Sequence, residues 1–346
     1  MQRPVMNPNF FEETTATPKP RRRISRILLG LVWRFLKLIF RTLMYDPLHG
    51  IKGFRVEEGT PTSRFVRGLM YRLAFVPVLI AMTACGIVWV ATHPRTVNAE
   101  IDPATQGVYY EAVTFLGSDQ MRLEGWLVPV LDAKLVLEER EKVLRKKHPA
   151  IVLVHDFGQR RGQMLPLIKP LHDMGYIVLA INLRGGGAHP ARGETFGLRE
   201  SSDVRAAVEM LRRRPFVDPL RVAVVGCGTG ANAALLAAAA DAQICAIVAE
   251  RPVTGSRDLM QQRIMPSSSL VRWLSPLCKW TFEIAYGVDA EDLEVKNFSK
   301  LRESRQVLLV DAPAIHADPS DARVADQIMT FLRISMAGGA SVAGAK

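Results

Sequence analysis

The 346-residue sequence lacks most of the signatures that assign a chemistry directly. Its seven histidines are scattered, without an HExxH motif or a carboxylate spacing that would hold zinc, so we predict no metal site. There is no GKS or GKT phosphate loop, and GCGTG does not complete a dinucleotide fingerprint, so no cofactor is expected. The four cysteines show no paired spacing and are interpreted as free thiols.

Negative charge is the scarcer sign, and the formal net charge is +11 at pH 7. Such an excess can indicate nucleic-acid binding. Much of it, however, lies in the first 72 residues beside hydrophobic segments, which favours anionic lipid instead. We therefore predict a lipid bilayer as a partner and no nucleic acid.

Residues 73–92, LAFVPVLIAMTACGIVWVAT, are twenty residues without a charge. As a helix they would extend ~30 Å, about one hydrocarbon core, and a buried core helix rarely stays apolar on every face. They predict a transmembrane helix with Pro77 in its first turns. Because five basic residues precede it and only Arg95 follows closely, we expect a retained signal anchor with a cytoplasmic N-terminus and a non-cytoplasmic C-terminal domain. The preceding basic residues are Lys52, Arg55, Arg64, Arg67 and Arg72.

Upstream, basic residues recur at helical spacing within RRRISRILLGLVWRFLKLIFRTLM. This pattern predicts an amphipathic interfacial helix at 22–44, with a second tilted span or a helix packed on a partner subunit as alternatives. The N-terminal helices could join a membrane protein complex. The flanking segments are predicted as a flexible tail (1–21), a cytoplasmic linker (45–72), a second linker (93–108) and a disordered tail (336–346).

From residue 109 to 335 short apolar runs alternate with amphipathic helical stretches. This texture predicts an α/β domain, a mostly parallel central sheet with helices on both faces. EAVTFLGSDQMRLEGWLVPV predicts a hairpin, and RVAVVGCGTGANAALLAAAA predicts a strand, a sharp turn and a helix. A cap-like segment (253–305) contains SSSLVRWLSPLCKWTFEIAYG, predicted as a serine-capped aromatic helix that serves as a lid, as core packing or as a partner-binding surface.

Several motifs in order resemble the α/β-hydrolase superfamily, in particular its membrane-associated esterase-like and peptidase-like members. They are GWLVPV, HDFG at 155–158, GYIVLAINLRGGG, SDVRAAVEML, GCGTG and QVLLVDAP. The resemblance covers about residues 109–335. It implies the α/β-hydrolase fold and an acyl-transfer site with a serine on the Gly-x-Ser-x-Gly elbow, a histidine, a carboxylate and two oxyanion-binding N–H groups.

The resemblance aligns Gly226 and Gly230 with the flanking glycines of the elbow, so Gly228 occupies the vacated nucleophile position. The backbone N–H groups of Phe157 and Thr229 are the implied oxyanion donors. Glycine has no side chain to attack with, and the covalent mechanism fails at its first step.

The other implied site residues are a relic histidine, His316, and an acid at either Glu250 or Asp311. Each carboxylate is alternatively a surface residue or a salt-bridge partner. Asp156 replaces a glycine of the family and is expected to be a solvated turn residue. Cys227 is interpreted as a buried structural thiol.

These features predict a membrane-anchored pseudo-hydrolase that acts as a binding, scaffold or accessory subunit. One alternative is an active serine-type ester or peptide hydrolase with a displaced nucleophile. A second alternative is a carrier of lipid or another apolar ligand.

Overall fold

The structure is a computed structural model that describes residues 61–94, 101–130, 146–185, 193–253, 255–264, 273–294, 298–310 and 322–337. The chain divides into two compact units, residues 1–80 and 81–346. The interfacial helix predicted at 22–44 and the N-terminal tail lie outside the described residues, as does most of the C-terminal tail.

A long helix, α1, runs from Pro61 to Thr92 and contains the predicted span. It begins well before Leu73, so the predicted 45–72 linker is helical from Pro61 onward. The expectation that Pro77 lies in the first turns is therefore wrong: Pro77 is inside the helix, where it cannot donate to the carbonyl four residues back. Within the described part of the chain, Phe75–Thr92 is the one window long and apolar enough to cross a membrane, and most of it is exposed.

Seven strands of the described residues form one sheet in the order β1-β2-β4-β3-β5-β6-β7. β1 and β2 pair antiparallel as the predicted hairpin, β2 is antiparallel to β4, and the remaining pairs are parallel. The sheet is therefore mostly parallel, as the sequence predicts. Its strands are β1 (Glu111–Leu116), β2 (Arg122–Val128), β3 (His148–Val154), β4 (Ile177–Asn182), β5 (Val217–Cys227), β6 (Ile244–Glu250) and β7 (Gln306–Val310).

Helices cover both faces of the sheet, which confirms the predicted α/β architecture. Alternate strand residues serve the two faces: Val152 and Val154 of β3 join one core, whereas Ile151 and Leu153 join the other. The first core includes α3 (Glu200–Arg212) and α4 (Thr229–Ala240), and the second includes α2 (Leu165–Asp173) and α8 (Ala322–Ala337).

Helices also make up most of the described chain between β6 and β7. They are α5 (Ser256–Leu259), which continues into a π-helical turn (Met260–Ile264), then α6 (Ser275–Tyr286), a 3₁₀ turn (Ala290–Leu293) and α7 (Phe298–Ser304). α6 begins at Ser275, with a proline in its first turn, and not at the predicted serine cap, which lies outside the described residues.

Arg184 fastens the loop after β4 to two other elements. Its Nε donates to Asp203 of α3 at 3.0 and 3.1 Å, and its Nη1 donates to Asp119 of the β1–β2 turn at 2.9 Å. Arg184 and Asp203 are buried. This shared ion pair ties the antiparallel hairpin to the parallel part of the sheet.

Leu179 of β4 is fully buried at the centre of the sheet, and its replacement tests the core. We expect Leu179→Ala to lower the free energy of unfolding by about 2–5 kcal/mol, because the lost methyl groups leave a cavity. The measurement is urea unfolding of the full chain in mild detergent. Leu220→Ala is the control: Leu220 is 69% exposed, and its change should stay within about 0.5 kcal/mol. Equal losses at the two positions would contradict this description of the core.

Candidate functional site

The predicted strand–turn–helix is present at the C-terminal end of β5. β5 ends at Cys227 and α4 begins at Thr229, so Gly228 alone forms the turn. Its φ of 51° and ψ of −113° suit glycine far better than a residue with a side chain. Its N–H donates to the Glu250 carbonyl at 2.8 Å.

The flanking glycines of the elbow are required by close packing. A Cβ on Gly226 would collide with the backbone of Gly230, and a Cβ on Gly230 would collide with the carbonyls of Val154 and His155. The turn therefore lies directly against the loop that follows β3. The elbow geometry of the superfamily is retained around position 228.

The Asp156 carboxylate lies over this turn. Its Oδ1 accepts from the Phe157 N–H at 2.7 Å and from the Thr229 N–H at 2.9 Å. These are the two groups that the sequence predicts as oxyanion donors. The guanidinium of Arg263 contacts the same oxygen at 3.3 Å. One carboxylate oxygen of the chain itself thus accepts from both of these predicted donors.

The expectation that Asp156 is a solvated turn residue is wrong. The residue is 8% exposed, and its carboxylate occupies the space above Gly228. A Cβ built on Gly228 would overlap both carboxylate oxygens and Cγ of Asp156. Any side chain at position 228 therefore requires Asp156 to move.

Hydrogen bonds fix the position of the loop that carries Asp156. The Asp156 N–H donates to Gln163 Oε1 at 2.7 Å. The Leu183 N–H lies 3.0 Å from His155 Nε2, so Nε2 accepts and Nδ1 donates to the Asp156 carbonyl at 2.8 Å. Burial lowers the pKa of His155 to about 4, so the imidazole is neutral and structural at pH 7.

A second buried carboxylate, Glu194, supports the same loop and was missed by sequence reasoning. Its Oε1 accepts from the Gly158 N–H at 3.0 Å, next to the oxyanion donors. Burial, and then the neighbouring Glu200, raise the pKa of Glu194 well above its usual value. The sequence signal was slight: a single glutamate that follows the glycine-rich loop after β4.

Glu250 is fully buried at the end of β6, so its interpretation as a surface carboxylate is wrong, whereas the alternative of a salt-bridge partner is supported by the Arg251 guanidinium, 3.6 Å from Oε1. Among the described residues neither carboxylate oxygen has a hydrogen-bond partner. Arg251 itself has a positive φ of 46°. Glu250 is therefore a buried acid near the elbow with open acceptor positions. Asp311 and His316 lie outside the described residues, and their roles stay predictions.

Cys227 and Thr229 flank the turn and are both buried. Burial, and then the Glu250 carboxylate, raise the pKa of Cys227 well above its usual value, and its Sγ lies 3.9 Å from the sulfur of Met164. Within the described part of the chain the Thr229 hydroxyl has no hydrogen-bond partner. Among the described residues no cluster of histidine, cysteine or carboxylate side chains could hold a metal.

Aromatic rings connect the site to the end of α1. Phe157 stacks on Phe196 at 5.1 Å between ring centroids, Phe196 contacts Phe282 of α6 at 5.8 Å, and Phe282 contacts Tyr286 at 5.4 Å. The Tyr286 hydroxyl donates to Thr92 Oγ1 at 2.6 Å. The Thr92 carbonyl accepts from the Glu194 N–H at 2.8 Å. The last turn of α1 is therefore part of the wall beside the candidate site.

Comparisons with known proteins bear on the fold of the chain. The prolyl oligopeptidase family matches residues 166–310. An uncharacterised protein of Mycobacterium tuberculosis is 27% identical over 172 residues, which are 46% of this chain and 54% of that protein. A polyketide transferase of a Penicillium species is 25% identical over 154 residues, 44% of this chain and 48% of that protein. The chain thus spans about half the length of the curated relatives it matches.

A solved esterase structure from Pyrococcus furiosus has a TM-score of 0.50 at 18% identity, covering 70% of this chain and 99% of that one. At this identity the likeness shows the fold alone. Together with the seven-stranded sheet and the family match, it shows that the chain has the α/β-hydrolase fold.

The contact between Asp156 and Gly228 can be tested by its effect on stability. We expect Gly228→Ala to cost about 1–3 kcal/mol from backbone strain, plus the displacement of the carboxylate. In an Asp156→Gly background only the strain should remain, with a coupling of about 1 kcal/mol or more in a double-mutant cycle. Urea unfolding of the four proteins measures it.

The matched control is Gly175→Ala. Gly175 also has a positive φ, 86°, but a Cβ there would meet no atom within 4 Å. Its cost should not change in the Asp156→Gly background. If the effects of Gly228→Ala and Asp156→Gly on the free energy of unfolding simply add, the carboxylate does not press on this turn.

Proposed function

We propose that the protein is a membrane-anchored pseudo-hydrolase, catalytically inactive, that acts as a binding, scaffold or accessory subunit. The observation that carries the proposal is the position of the Asp156 carboxylate. It fills both the space of a nucleophile side chain above Gly228 and the acceptor position of the oxyanion donors. Acyl transfer needs a nucleophile and a free oxyanion hole, and this one buried side chain prevents both requirements from being met.

The neighbours of Gly228 support this proposal because neither is an activated nucleophile. The raised pKa of Cys227 keeps its thiol protonated, whereas a reactive cysteine needs a thiolate. The Thr229 hydroxyl is buried and has no base to take its proton.

Glu250 favours the second candidate function, an active ester or peptide hydrolase. Its buried carboxylate has two open acceptor positions at the end of β6, where it could orient a histidine such as His316. The matches to the prolyl oligopeptidase family and to an esterase fit this candidate. It would, however, require Asp156 to leave the predicted oxyanion donors and a nucleophile other than Cys227 or Thr229.

We also propose that the Phe75–Thr92 part of α1 spans the membrane, with the N-terminus cytoplasmic and the α/β domain on the other side. The length and apolar composition of α1 support the span. The basic residues before it support the orientation. Partners in a membrane complex would then be met through the N-terminal helices.

Labelling with a fluorophosphonate probe tests inactivity. We expect the full-length protein in detergent to take no label and to leave an activated ester unhydrolysed. Gly228→Ser alone should label far more slowly than the combined variant. Its side chain competes with the Asp156 carboxylate for the space above the turn, and the carboxylate remains a competing acceptor for the two N–H groups, whose loss typically costs ~10²–10³ in rate. The combined Asp156→Gly, Gly228→Ser variant frees those donors and should take the label at position 228.

Asp156→Gly alone is the control for that variant and should remain unlabelled. Any stoichiometric label on the native protein would overturn the pseudo-hydrolase proposal, and the labelled peptide would identify the displaced nucleophile.

Orientation is tested with cysteines introduced at Ser118, in the exposed β1–β2 turn, and at Thr15. Both are made in a Cys85→Ala background, because Cys85 is exposed. On intact cells, a membrane-impermeant maleimide should label the Ser118→Cys protein and spare the Thr15→Cys protein. The reverse pattern would contradict the proposed orientation, and the unmodified background gives the level of non-specific labelling.

A further inference from the structure

α6 carries its largest exposed apolar side chains on the face turned away from the domain. Trp280 and Ile284 are 60% and 62% exposed, and Trp273, just before the helix, is 64% exposed. Cys278 and Phe282, on the opposite face, are fully buried. A stripe of two tryptophans and an isoleucine in solvent marks an interaction surface, since exposed apolar patches of this kind are rare on soluble proteins.

The C-terminal end of α6 contacts the last turn of α1. The Tyr286 hydroxyl donates to Thr92 Oγ1 at 2.6 Å. About two turns earlier in both helices, burial and then the nearby Cys85 thiol raise the pKa of Cys278. The two helices therefore run in the same chain direction where they approach each other.

The position of α6 next to the end of α1 indicates what covers the exposed stripe of Trp273, Trp280 and Ile284. Residues 85–92 are the C-terminal half of the candidate span, and they expose Trp89 (62%) and Val90 (74%). A helix that lies alongside these turns lies at the same depth in a bilayer. The α6 stripe then continues the lipid-facing surface of α1, and tryptophan favours the boundary between headgroups and acyl chains.

The charged residues of α6 are compatible with that position because they are paired. Lys279 donates to Glu291 at 2.6 Å and lies 3.7 Å from Glu283. Glu283 also accepts from the Ala290 N–H at 3.1 Å. These groups lie on the flank of α6 toward the 3₁₀ turn, so the outward stripe carries no charge.

We propose that α6 is inserted into the leaflet at the C-terminal end of the span, with Trp273, Trp280 and Ile284 in contact with lipid. This inference rests on the proposed span and goes beyond it, since it makes the cap-like segment a second membrane contact. The cap-like segment is then a membrane-embedded wall of the site, joined to Phe157 through Phe282 and Phe196.

The experiment uses the full-length protein in phosphatidylcholine vesicles with and without brominated acyl chains, which quench tryptophan fluorescence on contact. The chain has five tryptophans. A reference variant keeps only Trp126, which is buried in the sheet, and replaces the other four with phenylalanine. Two further variants restore Trp280 or Trp89. The blue-shifted emission of Trp126 reports that each variant is folded.

We expect the emission added by Trp280 to fall about two-fold or more in brominated vesicles, because its ring would lie ~5–10 Å into the interface. Trp89 should be quenched as well, and the reference should not change. Quenching of Trp89 without quenching of Trp280 would overturn the α6 inference and leave the span intact, as expected if α6 instead awaits a protein partner. Quenching of neither would overturn both the span and the inference. Quenching of Trp280 alone would support lipid contact by α6 and reject the span.

Discussion

Two backbone N–H groups converge on the Asp156 carboxylate, and the chemistry available at the candidate site depends on this interaction. In an acyl-transfer enzyme such a pair binds a negative oxygen that exists only during reaction. Here the pair holds a permanent carboxylate oxygen, at 2.7 and 2.9 Å. The donors are therefore satisfied in the resting protein, and the elbow is stable without substrate.

Glycine at position 228 is the necessary counterpart of this arrangement. The carboxylate of Asp156 occupies the volume that a side chain on the turn would need. The two residues are far apart in sequence, but the carboxylate fits in this place only because position 228 has no side chain. The glycine at position 228 and the carboxylate of Asp156 therefore form one structural unit.

The second organising contact joins the site to the end of α1. The Thr92 carbonyl and hydroxyl bond to Glu194 and Tyr286, and aromatic rings continue from Tyr286 to Phe157. Thr92, the last residue of the predicted span, is fully buried by these contacts.

The layered α/β fold, the hairpin, the strand–turn–helix and the long apolar helix could be predicted from the sequence, because hydrophobic periodicity, glycine spacing and the absence of charge are local signals. The motif also predicted Phe157 and Thr229 as paired backbone donors, and their N–H groups do converge on one oxygen. The positions of the carboxylates depend on the tertiary fold. Asp156 and Glu250 look like surface residues in sequence, but folding buries one over the turn and the other beneath it. Glu194 gave almost no local signal, and α1 started earlier than its uncharged run. Such contacts depend on which strands and loops become neighbours, and no local pattern along the chain encodes that distance.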